Sequence, residues 1–115
     1  MSEFLFLFRG GDYPNQSPEE AQAHMQKWFQ WMGSLREEGK FIGAQPLTKE
    51  GKQVKGTNKM VTDGPYVEGK EIVGGYLICN ANSFDEAVTI SKGCPIFEFE
   101  NGIVEVREIH QLPPM

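Results

Sequence analysis

The feature that most constrains this chain is a run of five apolar residues near its N-terminus. Phe4-Leu5-Phe6-Leu7-Phe8 is apolar at every position, and Arg9-Gly10-Gly11-Asp12 ends the run. Aromatic and branched residues in such a run favour a β-strand. Neighbouring side chains of a strand point to opposite faces, so continuous apolarity predicts burial on both faces. Any fold proposed for the chain must therefore cover both sides of this strand.

Two segments carry signals for the start of a helix. Ser17-Pro18-Glu19-Glu20 combines a capping hydroxyl, a proline suited to the first helical position and a glutamate that can complete a capping box. We predict a helix from Pro18 to Glu38 that ends at Gly39, and a shorter one that opens at Ser83, runs through Ile90 and stops at Gly93. Apolar residues three or four apart form a stripe on the longer helix: Ala21, Met25, Trp28, Met32 and Leu35, widened by Phe29 and Trp31.

The rest of the chain is predicted to form strands and one polar insertion. Residues Glu50 to Asn58 are polar and predict an exposed hairpin or loop. Gly74-Gly75 interrupts a strand and indicates a bulge or a close approach to the backbone. Asp63-Gly64-Pro65 predicts a tight turn. The strands after the first are predicted at Phe41–Ala44, Lys59–Thr62, Ile72–Cys79 and Ile103–Ile109.

This order of elements predicts an α+β fold. With the middle hairpin treated as an elaboration, the order matches a split βαβ arrangement, in which an antiparallel sheet carries both helices on one face. We expect one domain over residues 1–115. The second sheet face then lacks a cover, although the first strand is apolar there. A second subunit, a ligand pocket, or both would cover it, and a two-fold homodimer is the default.

Composition narrows the classes of function. The net charge is -5 and no cluster of Lys or Arg is present, so nucleic-acid binding is not expected. The longest apolar run is far too short to span a membrane, and no secretory signal is evident. The two cysteines, Cys79 and Cys94, indicate a reduced, cytoplasmic chain. No clustered ligands predict a metal site, and we expect no cofactor.

The segment from Val61 to Glu71, VTDGPYVEGKE, resembles the YCII-related family, and most closely its branch named for an Asp-Gly-Pro-Phe motif. Tyr66 stands where Phe is usual. The resemblance continues in order through Ile72-Val73-Gly74-Gly75-Tyr76, the Ser83–Val88 helix start, Cys94-Pro95 and Val104–Arg107, and includes Trp28 to Gly39. It implies a ferredoxin-like fold that dimerises through its sheets into an α+β barrel. Members of this branch are often associated with extracytoplasmic-function sigma factors, which implies a regulatory or accessory setting.

The resemblance also raises the question of catalysis. Relatives carry a His on the first helix and an Asp beside the proline after the second helix, and this pair is thought to act as acid and base. Counting from Gly39, the His position falls at Trp28 and the Asp position at Cys94. Both residues depart from the pattern, so an activity that relies on this pair is not carried over to this chain, although Cys94 could act as a nucleophile.

Three residues remain as catalytic candidates, each with a structural alternative. Asp63 could act as a base, or could accept backbone amides and stabilise the turn before Pro65. Glu68 could face a pocket, or could form an exposed loop pair with Lys70. His24 lies one turn before Trp28 and could replace the missing base, since residues four apart share a helix face, although an ordinary surface histidine is the simpler interpretation.

A wider set is predicted to contact a ligand in a pocket between the sheet and the helices. Trp28 could instead belong to the core, and Cys94 could simply be a small buried residue. His110 is expected to be peripheral. The predicted contacts are Trp28, Asp63, Pro65, Tyr66, Glu68, Tyr76 and Cys94.

These observations leave three hypotheses open. The first is a dimeric module that binds a small molecule or a regulatory protein. The second is an enzyme that uses Asp63, Glu68 and His24 for proton transfer, because general acid–base catalysis needs only two well-placed groups. The third is a scaffold whose pocket is filled by side chains. The absence of the His/Asp pair places the binding module first.

Overall fold

The computed structural model describes residues 1–11, 16–63 and 72–114. Along the described chain, the strands are β1 (Ser2–Arg9), β2 (Phe41–Pro46), β3 (Lys52–Lys55), β4 (Met60–Asp63), β5 (Val73–Ala81) and β6 (Ile103–Glu108). Helix α1 spans Pro18–Glu37, helix α2 spans Phe84–Ser91, and a 3-10 helix spans Pro95–Glu98. These bounds confirm the predicted sequence of elements.

Both helices begin and end as their sequences predict. The Ser17 hydroxyl accepts a hydrogen bond from the Glu20 amide at 3.1 Å, and Ser83 does the same for Glu86 at 3.0 Å. Gly39 follows α1 with a φ of +74°, a conformation that L side chains disfavour. Local capping chemistry therefore sets the helix boundaries.

The main sheet has four antiparallel strands in the order β2-β5-β1-β6. The parallel pair β1 and β2 is separated by β5, and the pair β5 and β6 is separated by β1. This is the split βαβ topology of a ferredoxin-like fold. Gly74 is the extra residue of a bulge, because Phe8 pairs with Gly75 while Arg9 pairs with Val73. A Cβ on Gly75 would lie 3.0 Å from the Gln45 carbonyl oxygen, so the predicted close approach is also present.

The core lies between the sheet and the helices. On β1, Phe4, Phe6 and Phe8 are buried. Phe4 meets Phe84 of α2 edge-on at 5.5 Å, and Phe6 stacks on Trp31 of α1 at 6.4 Å, so both helices lie on one face. Burying each of these aromatic side chains stabilises the fold by about 1.5–3 kcal/mol.

Within residues 1–11, 16–63 and 72–114, neither α1 nor α2 covers the other face of the sheet. Leu5 and Leu7 of β1 alternate with the buried phenylalanines and are only half-buried. Their cross-strand partners on β5 are Ile78 and Tyr76. Within the described residues, the prediction that both faces of β1 are buried is therefore confirmed only for the face that packs against the helices.

The segment from 60 to 63 pairs with the segment from 52 to 55 in a separate two-stranded sheet, so the middle hairpin is an elaboration of the main sheet. One detail of the sequence interpretation was wrong. Met25 is 52 % exposed and Ala21 is also exposed, so the predicted apolar stripe fails at its N-terminal end. The helix phase instead turns His24 toward the core, because residues 24, 28, 31 and 35 share one face.

Candidate functional site

The site is built where the first half of α1 meets the 3-10 helix. His24, on the core face of α1, reaches Glu98 at the end of the 3-10 helix, 74 residues further along the chain. The two residues are 2.9 Å apart, measured from Nδ1 of His24 to Oε1 of Glu98. The His24 side chain is 17 % exposed, so this contact lies at the edge of the core.

Both ring nitrogens of His24 have partners. The Trp28 indole Nε1–H donates to His24 Nε2 at 2.9 Å. An indole N–H can only donate, so Nε2 must carry the lone pair and Nδ1 must carry the proton. His24 therefore donates from Nδ1 to the Glu98 carboxylate. The arrangement orients the imidazole as an acidic residue orients a catalytic histidine.

Glu98 is held by a second donor on α1. Lys27 Nζ donates to Glu98 Oε2 at 2.8 Å, so the two carboxylate oxygens have different partners. The hydrogen bond from Lys27, followed by that from His24, lowers the pKa of Glu98 below its usual range. The carboxylate is therefore ionised at neutral pH and orients both side chains of α1.

Beside this network, a groove of about 520 Å³ runs between α1 and the segment from Gly93 to Glu98. The Trp31 indole forms one wall and the half-exposed Phe97 ring lines the groove with it. A Cβ on Gly93 would lie 3.3 Å from the Trp31 Nε1 atom, so the glycine allows the indole to sit close to the turn. The residues that line the groove are Lys27, Gln30, Trp31, Ser34, Gly93, Cys94, Pro95, Phe97 and Glu98.

Two of the predicted ligand contacts lie at or beside this groove. Trp28 is half-buried and meets Phe8 edge-on at 5.0 Å, which matches its alternative interpretation as a core residue. Cys94 is 3 % exposed, and burial raises the pKa of its thiol to about 12. The thiol stays protonated at neutral pH and is a poor nucleophile. Its contribution to the groove is shape and apolar surface.

Asp63 lies at a different place. It ends β4, its side chain is 88 % exposed, and it pairs with Lys52 of β3 at 2.9 Å. A second cleft of about 550 Å³ lies there, lined by Lys49, Glu50, Gly51, Lys52 and Asp63. Within the described residues, no hydrogen bond or ion pair joins Asp63 to His24, so the predicted catalytic pair is not brought together.

The remaining predicted residues divide into two groups. Tyr76 pairs with Leu7 on the open face of the sheet, opposite the face that carries His24 and Trp28. Pro65, Tyr66 and Glu68 lie outside the described residues, as does most of the Asp-Gly-Pro turn. His110 is exposed beyond β6.

Residue types that bind metals are not clustered in the part of the chain that the structure describes. No group of three or more His, Cys, Asp or Glu side chains that could hold a metal ion occurs within residues 1–11, 16–63 and 72–114. No helix of this described part has the length and apolar character needed to cross a membrane.

Glu98, Lys27 and the groove itself were missed by the sequence interpretation. Glu98 follows a Pro95 helix start, but nothing in its neighbourhood indicates a contact with a residue 74 positions away. The spacing of residues along α1 was the available signal for the position of His24. His24 lies four residues before Trp28 and seven before Trp31, so the three side chains share one face of the helix.

The profile of the YCII-related domain matches residues 5–113 of this chain. The chain belongs to the YCII-related family. Among solved structures, this YCII-related chain is similar to the 5-chloro-2-hydroxyhydroquinone dehydrochlorinase TftG from Burkholderia phenoliruptrix AC1100, determined in complex with 2,5-dihydroxybenzoquinone. The identity is 16 %, the TM-score is 0.49, and the match covers 94 % of this chain and 93 % of that one. No curated protein has a sequence that matches this chain significantly.

The YCII-related topology places the two positions of the expected His/Asp pair near the groove. Trp28 hydrogen-bonds to His24, which precedes it by four residues. Cys94 lines the groove, and Glu98 follows it by four residues. A histidine and a carboxylate, His24 and Glu98, are thus in contact. His24 lies four positions before Trp28, and Glu98 lies four positions after Cys94, which are the two positions that the resemblance gives for the His and the Asp.

Proposed function

We propose that this YCII-related protein is a homodimer that binds a small planar molecule in the groove between α1 and the 3-10 helix. The observation that supports the proposal is the joint presence of the Trp31 indole and the Lys27 ammonium in one groove. Binding sites typically combine apolar and aromatic walls with a few convergent polar groups. This groove has that composition.

The chemistry of the groove favours a flat ring that carries a carboxylate or another anionic group. Trp31 and Phe97 offer aromatic surfaces for stacking. A lysine ammonium has three donors, so Lys27 can bind a ligand anion while it keeps its bond to Glu98. Gln30 and Ser34 on the same side of α1 supply further polar groups.

The proposal is tested with 2-naphthoate as the probe. We expect titration to shift the Trp31 indole N–H signal in ¹H–¹⁵N spectra more than the Trp28 signal, which is engaged by His24. The variant Lys27→Gln should weaken 2-naphthoate binding by up to about fivefold, because one exposed ion pair is lost. The control Lys92→Gln removes an exposed lysine that does not line the groove and should leave binding unchanged. Equal shifts of both indoles with no effect of Lys27→Gln would contradict the proposal.

A second candidate function is proton transfer by His24, oriented by Glu98. The 2.9 Å contact between these residues favours it, since a histidine fixed by a carboxylate is a common general base. It ranks second because Nε2, the only nitrogen with a lone pair, already accepts the Trp28 N–H. A substrate would have to displace this bond before His24 could take its proton.

The second candidate is tested by proton exchange in deuterium oxide. The probe is 2-tetralone, a two-ring ketone with exchangeable protons beside its carbonyl. Catalysis by His24 should make exchange faster with the protein than without it, and His24→Gln should abolish the increase. A rate that is the same for both proteins leaves binding as the function.

The homodimer is proposed from the open face of the main sheet. Leu5, Leu7, Ile78 and Tyr76 form an apolar centre there, and the Arg9–Glu105 ion pair lies at its border. An exposed apolar patch with a polar rim is typical of a protein–protein interface. A two-fold arrangement would place identical patches against each other, which is the barrel that the resemblance implies.

Three further expectations accompany this proposal. We expect the chain to belong to the Asp-Gly-Pro-Phe branch, on the basis of the segment around Asp63, to reside in the cytoplasm, and to be associated with an extracytoplasmic-function sigma factor. Each rests on the sequence resemblance or the cysteine content. Affinity purification of the tagged protein from its own cells, followed by mass spectrometry, tests the last one; recovery of no sigma factor would contradict it.

A further inference from the structure

Three side chains of α1 that line the groove differ in their hydrogen-bonding chemistry. They are Lys27, Trp31 and Ser34. Residues at positions i, i+4 and i+7 share one face of a helix, and each residue adds 1.5 Å along the helix axis. Lys27 and Ser34 therefore lie about 10 Å apart along α1, with Trp31 between them. The groove has these three side chains as a row along one wall.

The Lys27 end of this row offers hydrogen-bond donors. Lys27 has three N–H groups and uses one of them on Glu98 Oε2 at 2.8 Å. In residues 1–11, 16–63 and 72–114, no acceptor engages the Trp31 indole N–H. Gly93 keeps this N–H open, because a Cβ at that position would lie 3.3 Å from Trp31 Nε1. Two donors are thus neighbours on one helix face.

Ser34 gives the other end of the row the opposite character. Its hydroxyl donates to the Gln30 carbonyl oxygen, one turn earlier in α1, at 3.0 Å. A hydroxyl has one proton and two lone pairs, so Ser34 can only accept hydrogen bonds from the groove while it keeps this bond. The Gln30 carboxamide also lines the groove, but it has both donors and an acceptor and favours neither direction. The groove is therefore polar in one direction.

We propose that Ser34 determines the specificity of the groove, which selects a hydroxyaryl carboxylate: a flat ligand with an anionic group at one end and a hydroxyl at the other. The anion binds at Lys27 and Trp31, and the distant hydroxyl donates to Ser34 Oγ. The length of the row suits two fused rings with a substituent at each end. This inference rests on the proposed function for the groove and its anionic ligand, and it adds the direction of the ligand and the donor that it must have.

The experiment compares two probes by calorimetric titration at pH 7. They are 6-hydroxy-2-naphthoate and 6-methoxy-2-naphthoate, which share the rings and the carboxylate. Only the first has a proton on the oxygen at position 6, so the methoxy oxygen would face the Ser34 oxygen with no hydrogen bond between them. We expect the hydroxy acid to bind at least about threefold more tightly than the methoxy acid, because one hydrogen bond between neutral groups is gained.

The variant Ser34→Ala removes the acceptor and retains the helix, since alanine favours helical structure. The ratio of the two dissociation constants should change by at least about threefold toward equal binding. The change in the ratio isolates the contact between the ligand hydroxyl and Ser34, because differences in probe size cancel. The matched control is Thr89→Val. The Thr89 hydroxyl also donates to a carbonyl four residues earlier at 3.0 Å, but in α2, and it does not line the groove, so the ratio should stay unchanged.

Unsubstituted 2-naphthoate separates this inference from the proposed function. It has no group at position 6, so Ser34→Ala should change its affinity by less than about twofold. If 2-naphthoate shifts the Trp31 N–H signal while Ser34→Ala leaves the ratio unchanged, the ligand hydroxyl binds another acceptor, for example Glu98. That result overturns the inference and leaves the proposed function standing. If none of the three naphthoates binds, both are overturned. A ratio that changes in Ser34→Ala and not in Thr89→Val supports the inference.

Discussion

His24 and Met25 are neighbours in the chain, yet they differ sharply in environment. His24 shares the core face of α1 with Trp28 and Trp31, and its side chain is 17 % exposed. Met25 is turned away by about 100° and is 52 % exposed. A polar residue therefore takes a place that hydrophobicity alone would give to methionine. The cost of burying its ring is offset by hydrogen bonds at both nitrogens, to Glu98 and Trp28.

At the scale of single residues, Glu98 makes the free energy of unfolding depend on pH. Its pKa is lowered in the folded chain, so the stabilisation that it provides is present above the usual glutamate pKa of 4.5 and is lost as the pH falls below that value. We expect the free energy of unfolding to drop more between about pH 5 and pH 3 for the wild type than for Glu98→Gln. The difference should be on the order of 0.5 kcal/mol, because the carboxylate is 40 % exposed and solvent screens it.

Urea denaturation at each pH measures this difference. The control is Glu100→Gln, which removes an exposed carboxylate outside the His24 network and should preserve the acid sensitivity of the wild type. If the free energy of unfolding falls equally with pH for Glu98→Gln and the wild type, the lowered pKa of Glu98 does not contribute to stability.

At the scale of elements, local chemistry sets the ends of α1, and packing sets its position on the sheet. Its start is set by Ser17 and its end by Gly39, both through backbone hydrogen bonding and conformation. Its position over the sheet is set by Trp31, which contacts Phe6 and Phe8 of β1, and by Leu35, which belongs to the same buried cluster. The boundaries of such a helix can therefore be predicted from sequence, whereas the partners of its faces depend on the sheet order.

Two glycines at this helix should respond to alanine with opposite sign. Gly33 lies inside α1, and a Cβ added there would have no atom within 4 Å, so Gly33→Ala should stabilise the chain by about 0.5–1 kcal/mol. Gly39 has equally open surroundings but a φ of +74°, so Gly39→Ala should destabilise it by about 1 kcal/mol. Thermal and urea unfolding measure both variants.

Each glycine variant is the control of the other, because the added methyl group is the same and neither meets a steric obstacle. A destabilising effect of Gly33→Ala would mean that α1 is not regular at this point. A neutral effect of Gly39→Ala would mean that the helix end can adopt a different turn.

For the whole molecule, the question is how a strand that is apolar on both faces is accommodated. The helices cover Phe4, Phe6 and Phe8, while Leu5 and Leu7 remain half-buried on the open face. A second copy would remove this surface from water at about 25 cal/mol per Å² of apolar area.

The variant Leu7→Lys tests the open face. If this face is the dimer interface, the variant buries an additional lysine beside the Arg9–Glu105 ion pair, and it should raise the dimer dissociation constant by more than about tenfold. Within one chain the position is half-buried, so the fold should tolerate the lysine. Sedimentation equilibrium measures the constant.

Leu112→Lys supplies the matched control, since Leu112 is 78 % exposed in the C-terminal tail and the change in charge is identical. Its dimer should be as stable as that of the wild type. A stable dimer of Leu7→Lys would exclude the open face as the interface.

The amino-acid sequence by itself determined the elements of this protein. Caps, turns and the apolar alternation of β1 act between residues close in the chain, so the helices, the bulge at Gly74-Gly75 and the split βαβ order were predictable. The exposed insertion from Glu50 to Asn58 was predicted as well, but the sequence did not show that its strand pairs with β4 in a separate sheet. Short strands with mixed polarity do not reveal which sheet they join.

Only the tertiary structure decided which functional groups meet. The contact of His24 with Glu98 spans 74 residues, and it forms because α1 and the 3-10 helix are both placed over the same sheet face. Asp63 and His24, paired in the sequence interpretation, lie in different parts of the molecule because Asp63 belongs to the separate hairpin of β3 and β4. Contacts of this kind depend on how elements stack, and stacking is set by the combined burial of many side chains and not by the residues that carry the chemistry.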